Sequence, residues 1–227
     1  MPRDTLSQDQ IVRAAIALLD DEGLEGLNMR ALGKRLDSAA TAMYWHVKSK
    51  DNLVLLAADQ IWSELALPDL ERVGWRAAAT TMASDLHEMF ARHTWLVQAF
   101  AAYVLYGEGK ARHDDHSLAV YEAAGFSGEQ ADQAAGAVFT YVLGNAAGAA
   151  ATASLTRRLD KDDGAEKRFQ DAMADAREIA MRYPRLRARL DSSAAADYAA
   201  APDRTFESGL QALLDGLERR LPPGHQR

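Results

Sequence analysis

The chain has 227 residues, 48% apolar and 26% charged, with a net charge of −7 and no cysteine. That length can bury one or two real cores, and the lack of cysteine excludes disulfide scaffolds, thiolate metal sites and cysteine nucleophiles. Met1 to Gln10 is polar where a signal peptide needs an apolar core, and no run approaches the ~18 to 20 apolar residues of a membrane span, so a cytoplasmic protein without membrane contact is expected.

Alanine dominates, with 45 copies against 4 isoleucines and 9 valines. The best helix former outnumbers the β-branched residues and nothing alternates with period two, so an all-α fold is expected. A first helix at about 7–22 opens on the capping-box spacing of Ser7 and Gln10, carries Ile11, Ala14, Ala15, Leu18 and Leu19 on one face, and stops at Gly23. Asn28 caps a short second helix with Ala31, Leu32 and Leu36 inward, and Asp37-Ser38 is a brief polar break before a third at about 39–46. Ser49 caps a fourth, whose Leu53, Leu56, Ala57, Ile61 and Leu65 form a stripe running on until Pro68. Longer helices are expected at about 75–92, 95–106, 114–124, 128–156, 164–182 and 203–221, with the Ser-, Ala- and Asp-rich run Asp191 to Pro202 as a connector.

The acidic total argues at first against a nucleic-acid partner, because phosphate binding draws on lysine and arginine. Within Asn28 to Lys50, however, Arg30, Lys34, Arg35, Lys48 and Lys50 face only Asp37, a local net charge of +4. Three short helices, the last two joined by a tight turn, have the proportions of a helix-turn-helix. Ala39, Ala40, Thr41 and Ala42 supply the small leading edge a recognition helix needs, Tyr44, His46, Lys48 and Lys50 suit phosphates, and Arg30 can present its guanidinium to a guanine edge. The bland alternative is a small core with a solvated basic face. Tyr44-Trp45-His46 weighs against it, since neighbouring residues cannot all point into one core.

The stretch Gly23-Leu24-Glu25-Gly26-Leu27, Arg30, Leu36 and Met43-Tyr44-Trp45-His46-Val47-Lys48-Ser49-Lys50-Asp51-Asn52-Leu53 resembles the DNA-binding domain of the TetR family of bacterial transcriptional repressors. Trp75, His93-Thr94-Trp95-Leu96, Ala124-Gly125-Phe126-Ser127, Tyr141-Val142-Leu143-Gly144 and Phe206 with Gly209-Leu210 and Leu214-Asp215-Gly216-Leu217-Glu218 are similar to the C-terminal domain of its tetracycline-repressor branch. The resemblance implies a helix-turn-helix domain at 1–50, a linker helix at 51–67, and a ligand-binding and dimerisation domain at 68–227. It further implies a homodimer on a palindromic operator, released by a small molecule. Carried over by position, Arg30, Ala40, Thr41, Ala42 and Tyr44 would face bases, Tyr44, His46 and Lys50 would hold phosphate, and Trp45, counted with Lys48 among the DNA-binding residues, would largely pack the domain.

Several positions depart from the family pattern. Asp37 stands where the turn glycine is usual and Ser38 where an apolar residue is. Ala66 and Gly148 replace the histidine and glutamate that would meet tetracycline and its magnesium, so another ligand is expected.

Gly136, Gly144 and Gly148 in the eighth helix allow close helix approach, and Phe206, Leu210, Leu213, Leu214 and Leu217 recur at helical spacing in the last. The resemblance makes these two helices the dimer interface; packing within one chain is the alternative. Trp62, Phe90, Trp95, Phe100, Tyr103 and Phe139, with the polar His87, His113, His116 and Asn145, are candidates for a cavity that takes an apolar or aromatic molecule. His113 and His116 share a helix face and could bind a metal, but the run His113-Asp114-Asp115-His116 better suits a helix start, where acids meet the positive dipole end. No cofactor is called for. A metal-dependent helical enzyme, and a ligand-binding dimer with vestigial DNA binding, are the competing functions.

Overall fold

The computed structural model describes residues 6–37, 40–159, 164–191 and 202–221, and among them there are helices and no strand. Three helices make the N-terminal part: α1 (Gln8–Gly26), α2 (Met29–Arg35) and α3 (Ala40–Val47). The expected caps form. Gln10 N–H donates to Ser7 Oγ at 3.2 Å while Ser7 N–H donates to Gln10 Oε1 at 2.9 Å, and Ala31 N–H donates to Asn28 Oδ1 at 2.8 Å. Each satisfies a backbone donor that the first helical turn leaves without a partner. Gly23 breaks α1 as expected, with φ of +73°, but the chain then resumes helix to Gly26. Ile11, Ala15, Leu18 and Leu19 of α1, Leu32 of α2, and Met43 and Val47 of α3 are buried together.

Ser49 caps α4 (Lys50–Glu64), accepting from Asn52 N–H at 3.0 Å. There follow α5 (Leu70–Arg92), α6 (Trp95–Ala102), α7 (Glu108–Ala124), α8 (Glu129–Leu159), α9 (Ala165–Met181), α10 (Pro184–Leu190) and α11 (Pro202–Glu218). The largest departure from expectation is α7, which starts at Glu108 rather than near 114. His113-Asp114-Asp115-His116 therefore lies inside the helix and does not cap it. α6 ends at Ala102, short of the expected 106, and α10 was not expected at all.

The chain divides into two compact units, 1–150 with 210–227, and 151–209. In the first, α4 packs on α1 and α7, and α5 packs on α7. Arg76 of α5 donates to Glu218 Oε2 at 2.7 Å and to Gln211 Oε1 at 3.1 Å, and also pairs with Asp215, which fastens α11 to α5. In the second, α9 and α10 contain no buried residue, and Met173, Ile179, Tyr183 and Leu186 are exposed. The expected connector is outside the described residues from 192 to 201. The expectation that no run is long enough for a membrane span needs correcting for α8: it has 31 residues and a window of mean hydropathy 1.3, long and apolar enough to cross a membrane by length and composition. Alanine supplies much of that hydropathy, which is why it does not stand out as a run of large apolar side chains.

Candidate functional site

The helical phase of α3 decides what the N-terminal part presents. Met43 and Val47, four residues apart, point inward and are fully buried. Trp45, two residues from each, falls on the opposite side. It is 89% exposed and Tyr44 is 48% exposed, so the expectation that Trp45 packs the domain is overturned. His46 and Lys48 are exposed beside them, and Arg30 is exposed on α2. Arg35 pairs with Asp21 at 2.9 Å, and Lys50 donates its ammonium to the Leu24 carbonyl at 3.0 Å, inward from the phosphate-holding role expected of it. Asp37 adopts φ of +46° in the turn, a left-handed backbone that glycine takes at no cost and aspartate tolerates better than most. Ser38 and Ala39, and the side chains of Ala40, Thr41 and Ala42, are outside the described residues.

A cavity of about 260 Å³ lies between α5, α7 and α8. Met82 and Leu86 of α5, His113, Ser117 and Tyr121 of α7, and Phe139 of α8 supply much of its wall. Against it five successive helices each contribute one ring: Trp62 from α4, Phe90 from α5, Phe100 from α6, His113 from α7 and Phe139 from α8. The Trp62 ring centroid is 4.9 Å from His113, 6.3 Å from Phe100 and 6.4 Å from Phe139, and Phe100 is 5.6 Å from Phe139. Edge-on and tilted geometry places ring edges against ring faces, the arrangement the aromatic quadrupole favours. Lys110 reaches into this cluster, 5.1 Å from the Trp62 ring and 5.4 Å from Phe139, and its ammonium donates to Asp114 Oδ2 at 2.6 Å. Burial works against ionising Asp114, but the Lys110 ammonium and the His113 edge more than offset it, so its pKa lies below the ordinary carboxylate value. Burial pushes the Tyr121 phenol up.

The other side of α7 is welded to α4. Asp59 accepts from Gly109 N–H at 2.8 Å and from Lys110 N–H at 3.3 Å, capping α7 from another helix. Gly109 permits the approach: a Cβ there would stand 2.5 Å from the Asp59 carbonyl oxygen and 2.8 Å from Ser63 N, both backbone atoms. Arg112 donates to the carbonyls of Ser63 and Leu65 at 2.9 and 3.0 Å, at the C-terminal end of α4 where a cation is favoured. His116 Nε2 donates to the Pro68 carbonyl at 2.9 Å. Nearer the N-terminal part, Asp20 of α1 accepts from Trp95 Nε1 at 2.9 Å, and His93 Nδ1 stands 2.8 Å from the same oxygen.

Of the ring and polar candidates, the structure brings His113 and Phe139 to the cavity wall, with Trp62, Phe90 and Phe100 in the adjoining ring cluster. Trp95 and His116 serve as joints between elements. Asn145 donates to the Tyr141 carbonyl of its own helix at 2.8 Å. His87 and Tyr103 are half-buried and do not line this wall. Lys110, Asp114, Ser117, Leu118 and Tyr121 were missed. Their spacing of i, i+4, i+7, i+8 and i+11 marks one face of a helix, of which Asp114, Ser117, Leu118 and Tyr121 already fall within 114–124 and Lys110 joins once α7 begins at 108.

Ala66 borders a separate polar cavity of about 230 Å³ with Asp85, Glu88, Arg92 and His93. Among the dimer candidates, Gly144 and Gly148 are exposed with open space beyond their Cα atoms, Gly136 borders the cavity, and Phe206, Leu210, Leu214 and Leu217 are already buried within the chain, with Leu213 half-buried. Among the described residues no three His, Asp or Glu side chains are grouped to hold a metal ion.

An exposed aromatic and basic recognition helix, joined by a linker helix to a ring-lined cavity, defines the class of helix-turn-helix regulators with a helical ligand domain. Residues 11–57 match the family described as "Bacterial regulatory proteins, tetR family" and residues 67–221 match "Tetracyclin repressor-like, C-terminal domain"; the chain belongs to the TetR family. An HTH-type transcriptional regulator of Saccharopolyspora erythraea is 35% identical over 62% of this chain, a match that spans 59% of that protein's own length. The HTH-type transcriptional repressor DrrR1 of Streptomyces coeruleorubidus is 30% identical over 96% of this chain and 79% of its own. The crystal structure of the Streptomyces coelicolor TetR family protein ActR in complex with actinorhodin is 26% identical, covers 93% of this chain and 96% of that one, and has a TM-score of 0.67.

Proposed function

We propose that this protein is a DNA-binding transcriptional repressor that grips a palindromic operator as a homodimer and lets go when a small molecule other than magnesium-tetracycline enters the cavity. The relatives named a repressor and a ligand complex support both halves of this assignment. Residues 1–50 read DNA, 51–67 link, and 68–227 bind ligand and partner. Arg30, Tyr44, Trp45, His46 and Lys48 form the exposed contact set, with Ala40, Thr41 and Ala42 at the leading edge. The second copy covers the exposed small-residue face of α8 around Gly144 and Gly148, a helix whose apolar window is only 28% buried in one chain. Two recognition helices then meet successive major grooves, about 34 to 36 Å apart. The setting is the cytoplasm, where operator DNA is found.

The observation that carries the release mechanism is the double duty of α7. One face lines the cavity through Lys110, His113 and Asp114; the other is capped by Asp59 and lies flush against α4 at Gly109. A ligand that shifts α7 shifts the linker helix, and with it the spacing of the two heads. The ligand need only bind the two arrangements unequally.

Fluorescence anisotropy with DNA from the chain's own upstream region tests the assignment. Binding should weaken as salt rises, and Lys48→Ala should reduce the salt slope by about 1. Failure to bind at low salt would overturn the repressor and leave the vestigial alternative. In Gly109→Ala the α4 to α7 seat is wedged apart, so DNA affinity should survive while ligand-driven release is blunted. Equal ligand affinity for free and DNA-bound wild type would overturn the coupling.

A further inference from the structure

His113 is at odds with its surroundings. It is 6% exposed, it borders the cavity, and neither ring nitrogen has a hydrogen-bond partner. The nearest Asp114 oxygen is 3.8 Å from Nδ1, near enough for the two groups to feel each other's charge but beyond hydrogen-bond reach. Leaving a buried polar group unsatisfied costs free energy, so such a group is normally paired in the working state of the protein. A second orphaned donor is next to it: Trp62 Nε1, on a ring 4.9 Å away by centroid, is buried without a partner. Two of the three residues with orphaned buried side-chain nitrogens among those described thus fall in one ring cluster.

The two charges beside His113 are already settled, and the other acid on the cavity wall, Asp132, is solvent-exposed on α8. Lys110 and Asp114 pair at 2.6 Å and cancel, and the ammonium also lies over aromatic faces. An ionised ligand would have to break that pair and shed its own hydration, whereas an uncharged one leaves the pair closed. Whichever nitrogen holds its proton, an imidazole offers at least one N–H, and in its neutral form one acceptor as well. A phenol oxygen meets both roles and a ring carbonyl meets the first.

We propose that His113 is the recognition residue of the cavity and that the cavity takes an uncharged, planar aromatic ligand whose phenolic hydroxyl or ring carbonyl is hydrogen-bonded by the imidazole. This assignment deepens the ligand-responsive function proposed above and rests on it for its biological meaning, though binding can be measured without DNA. The ring walls select for flat aromatic surface, and His113 selects for an oxygen at its edge.

Isothermal titration of the full chain with 1-naphthol, naphthalene and 1-naphthoate tests it. The expected result is 1-naphthol binding about tenfold more tightly than naphthalene, a preference lost in His113→Phe and kept in His113→Gln. Equal binding of naphthol and naphthalene, a preference that survives His113→Phe, or no binding of any probe would overturn the proposal. Tighter binding of 1-naphthoate would also overturn it, by making Lys110 the recogniser. If His113→Phe fails to fold, the wild-type ranking and His113→Gln still decide. His113-dependent naphthol binding that leaves DNA affinity unchanged would support the proposal and overturn the release mechanism instead.

Discussion

Trp45 and Trp62 show how differently the two regions of this molecule use the same side chain. On α3 the tryptophan is 89% exposed beside Tyr44, His46 and Lys48; on α4 it is 1% exposed and contacts rings from four other helices. The α1 to α3 head keeps its core small and spends its aromatic surface outward, where a partner can use it. The body gathers its rings around a cavity, where they hold the helices together and wall a ligand site.

Paired substitutions can break that comparison. Trp62→Ala should cost the most, about 3 to 5 kcal/mol of unfolding free energy in urea, because the cavity it leaves cannot collapse across five helices. Trp45→Ala should change stability by less than about 0.5 kcal/mol while weakening DNA binding in anisotropy. A large stability loss in Trp45→Ala would return that residue to a packing role. Asn28→Ala removes the cap of α2 and should cost about 1 kcal/mol, with the loss felt first in the head. The smallest effect concerns Asp85, whose carboxyl is raised above its ordinary value by burial and by neighbouring Glu88. A carboxylate raised in the folded state disfavours folding once pH exceeds its unfolded pKa, and not below it. Asp85→Asn should therefore raise the Tm slightly at neutral pH, with the gain fading on acidification toward about pH 3.

The head was largely legible because its information is local. Ser7, Asn28 and Ser49 each cap the helix that follows them within three residues, and Asn28 and Ser49 mark the starts of α2 and α4 without help from distant chain. Trp45 was misplaced only because positional resemblance was followed instead of the phase set by Met43 and Val47. The start of α7 was not legible in the same way. Its cap is the Asp59 carboxylate, fifty residues earlier in sequence, so the acidic pair Asp114-Asp115 drew the expected boundary six residues too late. Asp114, Ser117, Leu118 and Tyr121 share a face in either reading; the helix begun at 108 adds Lys110 to that face.

Composition, capping and helical periodicity, which act over a few residues, determined that the chain is all-helical, that it opens on a helix-turn-helix, and that a small basic face stands on an acidic body. Family membership followed from motifs of the same short range. Only the tertiary structure decided which rings meet, that His113 is buried without a hydrogen-bond partner, and that α7 is both cavity wall and neighbour of the linker helix. Those facts depend on distances between residues far apart in the chain, set by how helices cross, and a sequence pattern carries no record of the crossing.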